Sequence, residues 1–368
     1  MKTGWERKPL GSICTLQRGL DLPTPQRVKG IYPLVSSSGV IDTHIEGPIK
    51  GPGVITGRSG SVGKVFFVNE DFWPLNTTLY VRDFHGNEPR FVFHLLNHFN
   101  LQRFAGGAGV PTLNRNDVHG EPVFVPSDVQ EQQRIVAILD EAFEAIAAAR
   151  ANAEQNRQNA RALFESYLQS VFSQKGGNRH ETTLGSVCTF IGGSQPPKAV
   201  FEKEPTTENI RLIQIRDYKS DKNTVYIPRA MAKRFCDAKD VMIGRYGPPL
   251  FQILRGLEGA YNVALIKAVP DESMLSRDYL FYFLKHSDIL QYVIFHSERA
   301  AGQIGVTKET LEPYPIAIPT QLEQERIVKI VSKLEYETQR LESLYQRKIA
   351  ALDELKQSLL QQAFSGQL

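Results

Sequence analysis

The chain has 368 residues, 41% hydrophobic and 23% charged, a balance that fits a soluble protein with room for two domains. Its net charge of +3 permits a nucleic-acid partner without demanding one, and three scattered cysteines exclude a disulfide framework and a cysteine-built zinc site. The first residues open no apolar run and no stretch is apolar enough to span a bilayer, so a reducing, cytoplasmic location is expected.

In chain order, residues 1–126 read as a mixed α/β domain. Strand-like runs at Lys64–Val68 and Thr78–Val81 stand between glycine- and proline-rich turns, and a helix is expected over 89–100. Residues 127–178 read as one long helix, with Ser127 and Asp128 as capping residues and Gly176-Gly177 as its stop. Residues 179–319 read as a second α/β domain with a strand over Ala264–Val269 and a helix over 276–291. Residues 320–368 read as a second long helix, capped by Thr320 and ended by Gly366. Segments 1–126 and 179–319 hold 13 and 18 basic against 10 and 16 acidic residues, so the basic excess lies in the two large segments.

The two halves repeat each other. Leu10–Leu16 (Leu-Gly-Ser-Ile-Cys-Thr-Leu) returns as Leu184–Phe190 (Leu-Gly-Ser-Val-Cys-Thr-Phe), and Gly57-Arg58-Ser59-Gly60 returns as Gly244-Arg245-Tyr246-Gly247. Arg90–His98 aligns with Asp278–His286, and Glu131–Val136 with Glu323–Val328. The offset drifts through the large segments and stays fixed through the short ones, as variable loops and unbroken helices would produce. The second helix carries a seam of Ile327, Val331, Leu334, Leu341, Tyr345, Leu352, Leu355 and Leu359, interrupted at Thr338 and Lys348. The first carries Ile135, Leu139, Ala142, Ile146, Ala149, Ala153, Asn156, Ala160, Leu163 and Tyr167. Neither stripe buries itself, and alanine on one helix admits leucine on the other. An antiparallel pair of rods of about 60 Å each is therefore expected.

This order resembles the specificity subunit of type I restriction–modification enzymes. The resemblance covers nearly the whole chain and rests on Pro126–Val136, its echo Pro319–Val328, the closing Leu359–Gly366 and the opening Trp5…Pro9-Leu10-Gly11. It implies α/β plus long helices: two similar mixed α/β target recognition domains separated by a pair of long antiparallel helices, with a pseudo-twofold internal repeat. It also implies that each domain reads one half of a split, asymmetric DNA site, while the helices set the gap and dock two methyltransferase subunits. Motor–endonuclease subunits join when the complex cuts. S-adenosylmethionine, ATP and Mg2+ are then expected on the partner subunits and no cofactor on this chain. Half-sites on one face of a duplex lie roughly one turn, ~34 Å, apart, and a helix pair holds such a gap better than a loop.

Catalytic motifs are missing from the sequence. Tyr246-Gly247-Pro248-Pro249-Leu250 lacks the polar and aromatic residues of an adenine-methyltransferase Asp/Asn-Pro-Pro-Tyr/Phe motif, and Gly63-Lys64 lacks the rest of a Walker loop. His94 and His98 have helical metal-ligand spacing, but Leu95 stands where a catalytic Glu would and Tyr282 replaces His94 in the second copy. A packed helix is the better reading, and no metal site is expected. Cys14 and Cys188 hold equivalent apolar positions and read as core.

The candidate DNA-binding residues are Arg58, Ser59, Lys64, Asn76, Thr112, Asn114 and Arg115 in the first domain. Their counterparts in the second are Arg245, Tyr246, Asn262, Gln303 and Lys308. Arg pairs with guanine and Asn or Gln with adenine, while Ser, Thr and Lys more often take phosphate. Because base-reading residues should differ between domains that read different half-sites, loops that recur in both copies read equally well as scaffold. Three other readings stand beside the main one: a nuclease or methyltransferase in its own right, a coiled-coil adaptor that binds only protein, and a standalone DNA-binding protein of the same architecture.

Overall fold

The computed structural model describes residues 3–107, 109–174, 179–297 and 305–368. The chain divides into two compact units, residues 1–154 with 346–368, and residues 155–345. Two long helices, α3 (Val129–Phe172) and α8 (Gln321–Ser365), each contribute to both units.

The first unit opens with β1 (Trp5–Pro9), β2 (Thr15–Arg18), β3 (Tyr32–Ser36), β4 (Gly39–His44), β5 (Gly53–Gly57), β6 (Val65–Val68), β7 (Trp73–Pro74) and β8 (Thr78–Asp83). Helix α1 (Pro89–Phe99) follows, then β9 (Ala105–Gly106), β10 (Thr112–Leu113), the short α2 (Arg115–His119) and β11 (Pro122–Pro126). An antiparallel sheet runs in the order β2-β8-β5-β6, and a smaller one in the order β4-β3-β7. The first strand closes on the last, Trp5 opposite Pro126, so the chain returns to its start before α3 begins. The core packs β2, β5 and β8 against α1. It takes in Ile135, Val136 and Leu139 from α3 and Leu360, Ala363 and Phe364 from α8.

The second unit repeats this plan. Its strands are β12 (His180–Thr183), β13 (Cys188–Gly192), β14 (Asn209–Ile213), β15 (Tyr226–Pro228), β16 (Phe235–Cys236), β17 (Val241–Gly244), β18 (Gln252–Leu254), β19 (Gly259–Tyr261) and β20 (Leu265–Pro270). A one-turn α4 (Leu184–Val187) separates β12 from β13. After β20 come α5 (Arg277–Phe283), α6 (Ser287–Ser297), α7 (Lys308–Leu311) and β21 (Pro315–Ile318). The sheets run β13-β20-β17-β18 and β15-β14-β19-β16, and β12 closes on β21 as β1 does on β11. The expected helix over 276–291 is two helices. Leu284 caps the first, the His286 ring bonds back to the Phe283 carbonyl, and α6 starts afresh at Ser287. Burial of Phe283, His286 and Tyr314 in one aromatic cluster fixes that break.

Helix starts follow the sequence reading. Asp128 accepts from Gln130 N at 2.9 Å, and Thr320 accepts from Glu323 N at 3.4 Å. Gly366 takes φ +76° just after α8. Gly176-Gly177, expected to stop α3, lies outside the described residues. In the first unit the helices run antiparallel: Arg134 near the start of α3 donates to the carbonyl of Leu368 at 2.8 Å, and Arg150 pairs with Asp353 at 3.2 Å. The seams need correction. Leu163, Leu341, Leu355 and Asn156 are exposed, whereas Thr338, Ile349 and Leu168 are buried. A straight helix drifts about 20° per heptad from a strict seven-residue repeat, so the buried stripe leaves a seam extrapolated over 40 residues.

Candidate nucleic-acid interface

In the first unit the Gly57–Gly60 loop is held from three sides. Arg58 N donates to Thr77 O at 2.8 Å, Leu113 N donates to Arg58 O at 2.7 Å, and Arg58 Nε donates to Asn76 O at 3.1 Å. Ser59 bridges to Thr112, and Gly60, at φ +86°, donates to Pro111 O at 3.2 Å. A Cβ at Gly57 would sit 2.0 Å from the Ser61 carbonyl, which explains why glycine stands there. Arg58, Ser59, Asn76, Thr112 and Asn114 therefore share one surface. The Asn76 amide donates to Asp21, and Asn114 caps α2 by accepting from Asn116 N at 3.1 Å. Arg115 and Lys64 are exposed.

The second unit builds the same loop. Arg245 N donates to Ala264 O at 2.9 Å, Val306 N donates to Arg245 O at 3.0 Å, and the guanidinium donates to Val306 O at 3.0 Å and Val263 O at 3.3 Å. Gly247, at φ +92°, matches Gly60. Both recurring arginines thus bond backbone carbonyls, Arg58 through Nε and Arg245 through Nε and Nη1, and fasten the loop to the strand turn. The register aligns Val263 with Asn76, so Asn262 is not the equivalent of Asn76. Asn262 is a buried turn residue whose Oδ1 accepts from Ala264 N at 3.2 Å. Thr307 caps α7 by accepting from Thr310 N, as Asn114 caps α2, which leaves Lys308 and Arg115 as equivalent exposed cations on the first residue of a short helix. Arg234, Arg245 and Lys308 line one cleft with Phe190, Ile191 and Glu309. There Glu309 is held below the usual carboxylate range, chiefly by its own backbone N–H and the Thr307 hydroxyl, with Lys308 and Arg245 adding to the effect. Tyr246 lies against Arg245, 5.1 Å from the guanidinium carbon. Gln303 lies outside the described residues.

Sequence reasoning missed what anchors each domain to its helix. Gln132 is fully buried: Nε2 donates to Asn87 Oδ1 at 2.8 Å and Pro126 O at 3.1 Å, and Oε1 accepts from Glu88 N at 2.9 Å at the start of α1. Gln324, equally buried, donates to Met274 O at 2.7 Å and Pro319 O at 3.0 Å and accepts from Ser276 N at 2.9 Å at the start of α5. The recurrence of Glu-Gln at both helix starts was the available signal. A second polar tie joins the domain helix to the long helix. His94 Nε2 and Arg90 Nε meet Asp140 at 2.8 and 2.9 Å, and in the other copy Tyr282 and Lys285 meet Glu335 at 2.9 and 2.6 Å.

Both histidines of the metal-like spacing are accounted for by packing. Burial lowers both, and His98 stacks on Phe364 at 5.1 Å. Among the described residues no group of three or more His, Cys, Asp or Glu could hold a metal ion. Burial pushes the Cys14, Cys188 and Cys236 thiols up to about 12, so they stay protonated and behave as small core residues. Tyr246–Leu250 lies in the turn between β17 and β18, with Gly247, Pro248 and Pro249 exposed and Leu250 packed against the core. No helix among the described residues is long and apolar enough to cross a membrane.

The sequence matches the type I restriction modification DNA specificity domain twice, over residues 2–155 and 180–350. The chain belongs to that family. Each matched stretch begins in one α/β domain and ends inside one long helix, α3 or α8, so the family unit is a domain together with the helix it is clasped to. The chain is 27% identical over 141 residues to the EcoprrI type I restriction enzyme specificity subunit of Escherichia coli, covering 37% of this chain and 35% of that one, about a third of the relative's length. The fold is that of a chain from a type I R-M system solved to explain its complex assembly and conformational transition (TM-score 0.80, 20% identity, 100% of this chain and 99% of that one). The HsdS subunit of Thermoanaerobacter tengcongensis shares it as well (TM-score 0.60, 22% identity, 100% and 98% covered).

Proposed function

We propose that this chain is the DNA sequence-specificity subunit of a type I restriction–modification complex. Each specificity domain reads one half of a split asymmetric site, and the length of α3 and α8 sets the gap between halves. The observation that carries this reading is the duplicated family unit. In both copies the same clasp orients a glycine loop beside an exposed cation at a helix start, Arg115 or Lys308, while the surrounding surface differs between copies.

On this reading the chain does no chemistry of its own. Two methyltransferase subunits dock on the long helices, where Leu163, Leu322, Tyr336 and Leu344 of the second unit expose large apolar side chains. S-adenosylmethionine binds those partners, and ATP and Mg2+ serve the motor–endonuclease subunits that join for cleavage, all in the cytoplasm on double-stranded DNA. Sequencing of methylated adenines in cells with and without this chain tests it. A bipartite motif with a fixed gap, present only with the chain, supports the reading, and a methylome indifferent to the chain overturns it.

A further inference from the structure

The parts of the two units that differ most lie on the small sheet, beside the clasped loop. In the first unit β3 and β4 form a hairpin with a two-residue turn at Ser37-Ser38, seated over the glycine loop: Ser37 N donates to the Thr77 hydroxyl at 3.3 Å, and Ser37 Oγ lies 3.5 Å from where a Cβ of Gly60 would be. In the second unit the corresponding strands, β14 and β15, are joined instead by residues 214–225, whose exposed side chains include Arg216, Lys219 and Lys222.

The hairpin exposes aliphatic side chains where a soluble surface normally places polar ones. Val40 is 58% exposed and Ile41 47%. The pairing register explains how Ile41 comes to face outward: Val35 lies opposite Val40 and Leu34 opposite Asp42, so Ile41 is the extra residue of a β-bulge. A bulge re-aims a side chain that regular pleating would turn the other way. Here it brings Ile41 into a cleft lined by Arg27, Ser36, Ser37, Asn76 and Thr77. That cleft combines a cation and short hydrogen-bonding groups with the apolar side chains of Ile41, Leu22 and Leu75, holds the Asp21 carboxylate that Arg18 meets at 3.5 Å, and is continuous with the clasped loop.

We infer that the β3–β4 hairpin of the first unit reads thymine: Ile41 and Val40 pack on thymine 5-methyl groups in the major groove of duplex DNA, with Arg27 and the cleft hydroxyls on the flanking backbone. This deepens the specificity-subunit reading and rests on it. A two-stranded ribbon fits the major groove, and the methyl group is the apolar feature that distinguishes thymine there. The bulge fixes Ile41 by the backbone, and the second unit, built to read something else, carries a cationic loop in place of the hairpin.

The test uses the full chain purified from its own cells with its bound partners. The bound motif is first selected from randomised duplexes, and each thymine is then replaced by deoxyuridine, which removes only the methyl group. At one or more thymines of one half-site, deoxyuridine is expected to weaken binding roughly threefold to tenfold, the scale of one buried methyl or a pair. In the Val40→Ser, Ile41→Ser double variant that penalty disappears and the other half-site is still selected. Both side chains are exposed, so an unchanged melting transition verifies the fold. The inference is overturned by deoxyuridine that is neutral at every thymine, by a variant that keeps the penalty, or by a variant that still selects the same motif. Failure to select any bipartite motif overturns the specificity-subunit reading itself.

Discussion

Gln132 and Gln324 hold the same buried position in the two halves of the chain, each donating to a proline carbonyl between the preceding strand and the helix, Pro126 at the end of β11 at 3.1 Å and Pro319 just after β21 at 3.0 Å. Each amide bonds three polar partners, two backbone groups and the Asn87 side chain for Gln132 and three backbone groups for Gln324. Replacing Gln132 or Gln324 by Ala leaves buried donors and acceptors unpaired, at about 2–4 kcal/mol in total. Gln→Glu is expected to be no milder, because it turns two donors into an acceptor facing carbonyls. Denaturant unfolding checks this, and a midpoint unchanged in either variant contradicts the anchoring role.

The recurring arginines and the helix-start cations are expected to separate in mutagenesis. Arg58→Ala and Arg245→Ala remove bonds to backbone carbonyls, so they lower stability by about 1–2 kcal/mol and leave the identity of the bound motif unchanged. Arg115→Ala and Lys308→Ala leave the unfolding midpoint alone and reduce the slope of log affinity against log salt by about one each. Binding titrations over a salt series distinguish the two classes. An altered motif in Arg58→Ala would place that guanidinium on a base instead.

Acid is expected to destabilise the fold before carboxylates titrate. Burial holds His94, His119 and His286 below the ordinary imidazole value of 6.5. His119 Nε2 accepts from Leu16 N at 2.9 Å and so must be unprotonated to do its work. With the folded value lowered, the unfolded chain binds more protons. The stabilisation is therefore complete above pH 6.5 and is lost as the pH falls from there through the folded values. Unfolding midpoints at pH 7.5 and 5.5 check this: the midpoint is lower at pH 5.5, and a flat or rising one contradicts it.

The repeat made most of this architecture legible. Leu-Gly-Ser-x-Cys-Thr, Gly-Arg-x-Gly and Glu-Gln-x-Arg-Ile-Val mark strand, loop and helix start in both copies, and each recurs for a physical reason: a close approach at Gly11 and Gly185, a positive φ at Gly60 and Gly247, a buried side-chain amide at Gln132 and Gln324. Local sequence did not reveal which arginine atoms face carbonyls, since Thr77, Asn76 and Leu113 reach Arg58 only through tertiary folding. The seam failed at Leu341 and Leu355 because packing, not hydrophobicity, selects which face of a long helix is covered. The bulge at Ile41 was invisible for a similar reason, as register belongs to a pair of strands.

The spacer account makes a length prediction. Four residues added to each long helix, after Ala153 and after Ile349, add about 6 Å of rise, roughly two base pairs. Both sites are buried in the same unit, and inserting in both helices preserves their pairing. The gap in the bound motif is expected to widen with both half-sites unchanged. An unchanged gap removes the helices from the role of ruler.

Division of labour between the two domains is the central claim, and exchanging residues 1–126 for the matching segment of a relative with a different motif tests it most directly. Methylated-adenine sequencing of cells carrying the exchanged chain should show one half-site replaced, with the other half and the gap retained. A motif altered in both halves, or in neither, would contradict a chain that reads DNA one domain at a time.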